Sequence, residues 1–290
     1  MIHTVSQCEP ITAETCVLRA THRGKGRFLS LAPGSAAVRH LHYGRIILDA
    51  GDAAVEFGTG THETGLIALR GSATIEVAAQ RFTLTPYDAL YVPRDHAVRV
   101  TPAVTPAVNQ DAAGCDLAEI SAPVTGQYPL QFVAFAEVRR DPNLHFAAGS
   151  PSCERDLNIV IGKNVQAGRI MAGVTFSKPG NWTSWPPHEH GLLLEEAYLY
   201  IDMPAPNWGL QLVFTDSDEP ELVAKVGEGD VVVMPEGYHP NVAAPGSCIN
   251  FLWMMAAHTE VAGRQFGVVN VHPAYAAGGS GLEAANHKKR

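Results

Sequence analysis

The sequence predicts an all-β protein built from two tandem β-barrels. Short apolar runs rich in valine, isoleucine and tyrosine recur along the chain, and glycine or proline separates them. Few stretches keep the apolar spacing of an amphipathic helix over about eleven residues or more. Runs of this kind are typical of the strands of a β-sandwich or β-barrel. The clearest examples lie at residues 45–48, 65–69, 89–92, 197–200, 210–214 and 230–234.

An internal repeat indicates that the two barrels are similar. Residues 88–93 and 230–235 share one pattern, in which an acidic residue is followed by four mostly apolar residues and a proline. A histidine follows each copy closely, and apolar strands ending in a glycine turn precede it. We therefore expect an N-terminal barrel over residues 1–145 and a C-terminal barrel over residues 146–290, each with a mouth that can hold a ligand.

The C-terminal copy carries a candidate metal site. His188 and His190 are two residues apart, so in an extended strand both side chains point to the same face and can reach one ion. A carboxylate at the start of the next strand, from Glu195 or Glu196, and His239 from a distant strand would complete the ligand set. Three imidazoles and one carboxylate suit zinc, manganese or iron(II), and they leave positions open for water or substrate.

The N-terminal copy lacks this pattern. His96 follows Pro93 by three residues, whereas His239 follows Pro235 by four. One residue of slip turns a strand side chain to the opposite face. We interpret the histidines of this half as structural or surface residues, and we expect a degenerate, metal-free barrel. The other histidines in question are His40, His42 and His62.

Composition excludes several classes of protein. With 290 residues and 46% hydrophobic residues, each half can bury its own core without disulfides. The net charge is −8, and the basic residues 287–290 read as a solvated terminus, so no nucleic-acid partner is expected. The five cysteines are scattered and show no C-x-x-C pair, which argues against a disulfide framework or a thiolate zinc site. Neither a signal peptide nor an apolar stretch of about 18 residues is found, so a cytoplasmic protein without membrane contact is expected.

Motifs in both halves resemble one family of enzymes. They are Gly-Arg-Phe-Leu-Ser-Leu at 26–31, Gly-Leu-Ile-Ala-Leu-Arg-Gly at 65–71, Pro-Pro-His-x-His at 186–190 and Gly-Tyr-His-Pro at 237–240. With these motifs, most of the chain resembles the 5-deoxy-glucuronate isomerases of inositol catabolism. Residues 196–204 resemble the related 4-deoxy-L-threo-5-hexosulose-uronate ketol-isomerases of pectin breakdown. In that alignment the liganding carboxylate falls on Glu196.

The resemblance implies a fold and a reaction. The fold is two tandem cupin barrels, each a double-stranded β-helix of the jelly-roll type. The reaction interconverts the aldose and ketose forms of a deoxy-uronate, most directly 5-deoxy-glucuronate and 5-dehydro-2-deoxy-gluconate. The cofactor is one divalent metal, usually zinc, with manganese, iron and nickel as alternatives. Such an ion can polarise a sugar carbonyl while a base moves the proton between adjacent carbons.

The remaining site residues are candidates on chemical grounds. Glu195 and Tyr238 are the candidate catalytic bases, although Glu195 can equally be the solvated partner of a lysine. Arg155 and Arg169 are candidates for binding the uronate carboxylate, because arginine donates two parallel hydrogen bonds to such a group. Each arginine can equally be an ordinary surface residue. Tyr198 is a candidate for substrate binding, with packing inside the barrel as the alternative.

One departure from the family leaves alternatives open. The loop at residues 191–194 is short and apolar, where inositol-pathway members carry a longer, charged one, so the substrate can differ from that of those members. A dioxygenase with iron or copper in the same site, and a non-enzymatic cupin that binds a sugar acid, are the competing hypotheses. A homo-oligomer is expected by analogy with other cupins. Residues 276–281 read as a flexible tail.

Overall fold

The computed structural model describes residues 10–104, 114–215, 219–279 and 281. The basic residues 287–290 and Cys8 lie outside these ranges. Among the described cysteines, Cys115, Cys153 and Cys248 form no disulfide bond. Among the described residues, no helix is long and apolar enough to cross a membrane.

Strands dominate the structure, which confirms the predicted all-β class. The short helices are α1 (Ala13–Cys16) and α2 (Phe135–Val138), and 3₁₀ helices span Thr21–Arg23 and Pro273–Gly278. The alternation of apolar and polar residues along many strands explains this outcome, because one face of each strand packs inside a barrel and the other does not. Strand β6 (Ala73–Val77) is one example, with burial that alternates along its length.

The N-terminal barrel is formed by two packed sheets. One has the strand order β11-β8-β5-β10-β3-β2 and the other the order β4-β9-β6-β7. The strands are β2 (Gly26–Leu31), β3 (His42–Leu48), β4 (Val55–Gly58), β5 (His62–Gly71), β6 (Ala73–Val77), β7 (Gln80–Leu84), β8 (Ala89–Val92), β9 (Ala97–Pro102), β10 (Cys115–Pro123) and β11 (Gln131–Val133).

The C-terminal barrel repeats this arrangement. Its larger sheet has the order β1-β20-β17-β22-β14-β13-β12, its smaller sheet the order β15-β21-β18-β19, and β16 pairs with β23 beside them. The strands are β1 (Val17–Leu18), β12 (His145–Ala148), β13 (Arg155–Ile161), β14 (Ile170–Ser177), β15 (Trp182–Thr183), β16 (His188–Glu189), β17 (Leu194–Tyr200), β18 (Gly209–Val213), β19 (Leu222–Val226), β20 (Val231–Met234), β21 (Asn241–Ala243), β22 (Phe251–Ala257) and β23 (Asn270–Val271).

The strand register makes the repeat exact enough to compare single residues. Strand β5 pairs with β8 and β10, as β17 pairs with β20 and β22. Thr64 lies opposite Val92, the residue before Pro93, and Glu196 lies opposite Met234, the residue before Pro235. Thr64 in the N-terminal barrel is therefore equivalent to Glu196 in the C-terminal barrel, and Glu63 is equivalent to Glu195.

The two barrels share the N-terminal segment. Strand β1 belongs to the first half of the chain but pairs with β20, where Val17 lies opposite Val232. The Arg19 guanidinium lies 2.8 Å from the Asp230 carboxylate. Strand β12, at the predicted join, pairs with β13 of the C-terminal sheet. The chain therefore passes between the barrels twice, once after β1 and once before β12.

Candidate metal centre

Three histidines from two distant segments converge in the C-terminal barrel. His188 lies in β16, His190 follows that strand directly, and His239 lies between β20 and β21. Their ligand atoms all lie within 4.8 Å of one another, and their ring centroids are 5.0 to 5.6 Å apart. Across residues 10–104, 114–215, 219–279 and 281, no other group of three or more such side chains could hold a metal ion.

Main-chain contacts orient two of these rings. The Nδ1 atom of His188 lies 3.0 Å from the carbonyl oxygen of Pro186, and the Nδ1 atom of His239 lies 2.9 Å from that of Gly237. A histidine that donates Nδ1–H to a carbonyl keeps Nε2 as its free lone pair, which is a form that binds metals. Both rings are therefore held with Nε2 available as a ligand.

Glu196 completes the cluster from the adjacent strand β17. Its Oε2 atom lies 3.0 Å from Nε2 of His190 and 3.0 Å from Nε2 of His239, and the residue is 2% exposed. Burial opposes ionisation, but the neighbouring His190 and His239 outweigh it and lower the pKa of Glu196 to about 2. The cluster therefore contains an ionised carboxylate at neutral pH.

The donors fit a divalent cation. Burial, with repulsion from His239 and His190, lowers the pKa of His188 well below its usual value, so this ring is a neutral donor. Within the described residues, the buried Nδ1 of His190 has no hydrogen-bond partner, and the Nε2 of His239 makes no well-directed hydrogen bond although Glu196 Oε2 lies 3.0 Å away. Buried polar atoms without partners are costly, and His239 Nε2 faces the centre of the cluster. A cation between the four side chains would satisfy that nitrogen and balance the carboxylate charge.

Three members of the cluster, His188, His190 and Glu196, line one cavity. Its apolar lining includes Leu157, Phe251, Trp253, Met255 and Phe266. Besides the metal cluster, its polar lining includes Arg155, Thr175, Ser184 and Tyr198. A largely apolar cavity with a few converging polar groups is typical of a site for a small molecule.

Two of the predicted substrate-binding residues line this cavity. Arg155 is 2% exposed, and its guanidinium donates to the carbonyl oxygens of Trp185 at 3.0 Å and Gly281 at 3.3 Å. The Tyr198 hydroxyl lies 2.8 Å from Ser184 Oγ, and its ring stacks on Phe251 with centroids 4.1 Å apart. Burial and the nearby Glu196 charge raise the pKa of Tyr198 well above its usual value, so its phenol stays protonated.

Glu195 lies on the other face of β17, and the structure corrects its interpretation as a catalytic base. Neighbouring side chains on a strand point to opposite faces, so Glu195 points away from the cavity that Glu196 enters. Its carboxylate accepts hydrogen bonds from the backbone N–H groups of Arg39, His40 and Leu41 at 2.6 to 2.7 Å. It is neither a free base nor a solvated partner of a lysine.

Tyr238 and Arg169 also lie away from the cavity lining, so neither predicted role fits their positions. The Tyr238 ring packs against His272 and Phe214, at centroid distances of 4.8 and 5.6 Å. Since His239 is adjacent in an extended segment and enters the cluster, Tyr238 faces the other way. The Arg169 guanidinium donates to the carbonyl oxygens of Pro123, Ala257 and His258, where the two barrels meet.

Sequence reasoning missed the C-terminal segment that closes the cavity. Strand β23 pairs with β16, so that Val271 lies opposite His188, and Phe266 and Val269 line the cavity. The predicted tail contributes to the 3₁₀ helix Pro273–Gly278, in which the Tyr275 ring lies 4.9 Å from that of Trp185. A strand of two residues leaves no periodic pattern in the sequence, which is why it was not predicted.

The equivalent region of the N-terminal barrel has different side chains. Thr64 occupies the position of Glu196. The rings of His42 and His62 contact each other with centroids 4.7 Å apart. His96 Nδ1 lies 2.8 Å from the carbonyl oxygen of Arg94. These three histidines make contacts within their own barrel, whereas the His40 ring lies 5.6 Å from that of His258 beside the C-terminal barrel.

Comparisons with known proteins agree with this architecture. The chain is 27% identical to the 5-deoxy-glucuronate isomerase of Geobacillus thermodenitrificans over 80% of its own length and 85% of that protein. It is 26% identical to the 5-deoxy-glucuronate isomerase of Lacticaseibacillus casei over 75% of its length and 82% of that protein. These relatives confirm the expected class of enzyme, an aldose–ketose isomerase.

Solved structures show the same fold. An IolB-like protein of Salmonella typhimurium superimposes with a TM-score of 0.75 at 23% identity, covering 90% of this chain and 98% of that one. A variant of Bacillus subtilis oxalate decarboxylase gives a TM-score of 0.60 at 11% identity, covering 91% and 81%. The model of the KduI/IolB family matches residues 17–273. The chain therefore belongs to the KduI/IolB family, a family of tandem cupins.

Proposed function

We propose that this protein is a metal-dependent isomerase that interconverts the aldose and ketose forms of a deoxy-uronate. The most direct substrate is 5-deoxy-glucuronate, with 5-dehydro-2-deoxy-gluconate as the product. The observation that carries this proposal is the convergence of His188, His190, Glu196 and His239 beside one cavity, which the first three of them line. The names of the relatives supply the substrate class.

The chemistry of the donors supports a single divalent ion. Three imidazoles and one carboxylate suit zinc, manganese, iron(II) or nickel, and zinc is the metal that the family resemblance favours. When bound, such an ion supplies a Lewis acid that polarises a sugar carbonyl and its neighbouring hydroxyl. His188, His190, Glu196 and His239 would hold it.

Arg155 provides the positive charge that a uronate requires. It is buried in the lining of the cavity, and the backbone carbonyls of Cys153, Trp185 and Gly281 fix the plane of its guanidinium. A guanidinium held in one orientation can recognise a carboxylate with less loss of side-chain entropy on binding. We propose that Arg155 binds the carboxylate of the substrate and so orients the sugar chain in the cavity.

Tyr198 and Ser184 provide hydroxyl groups beside the cluster. Because the Tyr198 phenol stays protonated, it donates a hydrogen bond rather than accepting a proton. The Tyr198–Ser184 pair, with oxygens 2.8 Å apart, can bind a sugar hydroxyl and hold its proton in place. Phe251, Trp253 and Phe266 exclude water around this pair, which strengthens its hydrogen bonds to the substrate.

The proposal is tested by combining metal analysis with an activity assay. Purified full-length protein is analysed for bound metals, and the isomerisation of 5-deoxy-glucuronate is followed by NMR. We expect turnover that a chelator removes and that added zinc, manganese, iron(II) or nickel restores. Turnover that persists in metal-free protein would contradict the role of the metal. Metal-loaded protein without turnover of any deoxy-uronate would contradict the reaction.

A further inference from the structure

Glu195 and Glu63 occupy equivalent positions in the two barrels, and each binds backbone N–H groups of the opposite barrel. Glu195 Oε2 accepts from the N–H of Arg39 at 2.7 Å, and its Oε1 accepts from those of His40 and Leu41 at 2.7 and 2.6 Å. Glu63 does the same in the other direction. One of its oxygens accepts from one backbone N–H and the other from two, at 2.6 to 2.7 Å, and the donors are Gly168, Arg169 and Ile170.

Each glutamate reaches from one barrel to the start of a long strand in the other. Residues 39–41 lead directly into β3, and residues 168–170 lead into β14, the equivalent strand. Glu195 and Glu63 are 1% and 0% exposed. Burying a carboxylate is costly unless strong hydrogen bonds replace its water, and three charge-assisted N–H bonds do this. Each contact is therefore a specific docking of one barrel on the other.

The glutamates of the two docking contacts are followed in the chain by different residues. After Glu195 comes Glu196, whose carboxylate lies among the histidines, whereas after Glu63 comes Thr64. Neighbouring residues on an extended strand share one peptide plane and point to opposite faces. A force that holds Glu195 against the N-terminal barrel therefore also sets how Glu196 enters the cavity.

We infer that Glu195 is a positioning residue for the metal centre: by binding residues 39–41 of the N-terminal barrel, it fixes how β17 presents Glu196. The inference rests on the metal-binding role proposed for Glu196. Strand β17 pairs with β20 and β22 on its two sides, so the strand itself forms without this contact. What Glu195 adds is the restraint from the other barrel. The N-terminal barrel thus contributes to the site without a side chain in it.

The test compares Glu195→Gln with the matched variant Glu63→Gln in the full-length protein. Each substitution replaces a carboxylate that accepts from three N–H groups with an amide. The NH₂ of the amide cannot accept from an N–H, so the full set of three hydrogen bonds is lost. Zinc affinity of chelator-stripped protein is measured by calorimetry, and thermal unfolding of the metal-free protein is measured in parallel. We expect both variants to lose thermal stability. Only Glu195→Gln should raise the zinc Kd, by about 10-fold or more, as other substitutions that disturb the support of a metal ligand do.

A spectroscopic readout separates positioning from general loosening. Cobalt(II) in place of zinc reports coordination geometry through its visible absorption. We expect an altered cobalt spectrum in Glu195→Gln and a wild-type spectrum in Glu63→Gln. A wild-type zinc Kd in Glu195→Gln, or equal weakening in both variants, would overturn the inference. If either glutamine variant fails to fold, Glu195→Asp and Glu63→Asp give the same comparison.

The proposed function can fail separately. A wild-type protein that binds zinc but does not isomerise 5-deoxy-glucuronate would contradict the proposed reaction. In that case the difference in zinc affinity between the Glu195 and Glu63 variants would still support the positioning role, because zinc binding is measured without substrate.

Discussion

The two barrels share strand order and register, yet equivalent positions carry different chemistry. On the inner face of the N-terminal barrel, Glu119 forms a two-point ion pair with Arg27, with both N···O distances at 2.7 Å. The equivalent position in the C-terminal barrel holds Trp253, which stacks on Phe266. The N-terminal barrel pairs its buried charge internally, whereas the C-terminal barrel leaves a buried carboxylate facing imidazoles.

This difference shows how one fold can hold two barrels whose inner faces carry different polar residues. The sheets are held by main-chain hydrogen bonds, and the register does not depend on which polar residue points inward. A few inner positions can therefore change from self-satisfied to ligand-binding without altering the strands. The metal site differs from its counterpart mainly at Glu196 and at the histidines that surround it.

The largest expected effect distinguishes His239 from His96, the histidines that follow the two copies of the repeat. His239→Ala should remove tight metal binding and lower turnover by about 10³-fold or more, since a bound metal contributes several kcal/mol to such a reaction. His96→Ala, at the corresponding place in the N-terminal barrel, should leave both unchanged. Metal content and the NMR assay check this. Equal losses in the two variants would show that the barrels do not differ as described.

A smaller effect is expected at the cavity arginine. Arg155→Lys keeps a positive charge but loses the planar fork, so we expect KM for 5-deoxy-glucuronate to rise about 10- to 100-fold with a smaller change in kcat. Arg27→Lys changes the ion pair of the other barrel and serves as the control, with KM unchanged. Steady-state kinetics measure both. A wild-type KM in Arg155→Lys would exclude this residue as the carboxylate-binding group.

A further contact between the barrels, formed by Glu260 with Thr125, Gly126 and Tyr128, is expected to depend on pH. Burial opposes ionisation of Glu260, but the N–H groups of Thr125 and Gly126 and the Tyr128 hydroxyl lower its pKa to about 2 from a usual 4.5. Because the folded-state pKa is lower, this contribution to stability is present above about pH 4.5 and is lost as the pH falls toward 2.

Glu260→Gln should therefore cost about 1 kcal/mol at pH 7 and nothing near pH 2, after allowance for its partial exposure. Denaturant unfolding at several pH values checks this prediction. A variant as stable as wild type at pH 7 would show that the Glu260 contacts add nothing to the junction between the barrels.

An effect of similar size is expected at one of the two docking contacts, that of Glu63. The Tyr91 hydroxyl donates a fourth hydrogen bond to Glu63, at 2.6 Å, which Glu195 lacks among the residues described. Tyr91→Phe should lower the free energy of unfolding by about 1 kcal/mol and leave zinc affinity unchanged. Denaturant unfolding measures the change in the free energy of unfolding, and calorimetry measures the zinc affinity. A change in zinc affinity would link the N-terminal contact to the metal centre as well.

The sequence predicted the barrels, and it brought His188, His190 and His239 together, because alternation along strands and the repeat depend on local pattern. It could not choose between Glu195 and Glu196 without the family resemblance. The partners of Glu195 are backbone N–H groups far away in the chain, and main-chain donors have no sequence signature. The same limit explains Arg169, whose guanidinium is occupied by carbonyl groups that any residue could supply.

The most direct test of the metal centre is the zinc stoichiometry of Glu196→Thr beside wild type. This substitution gives the C-terminal barrel the residue that the N-terminal barrel has at the equivalent position. Calorimetric titration of chelator-stripped protein should show one tight zinc per wild-type chain and none in Glu196→Thr. One tight zinc retained in the variant, or none in wild type, would contradict a centre built from His188, His190, Glu196 and His239.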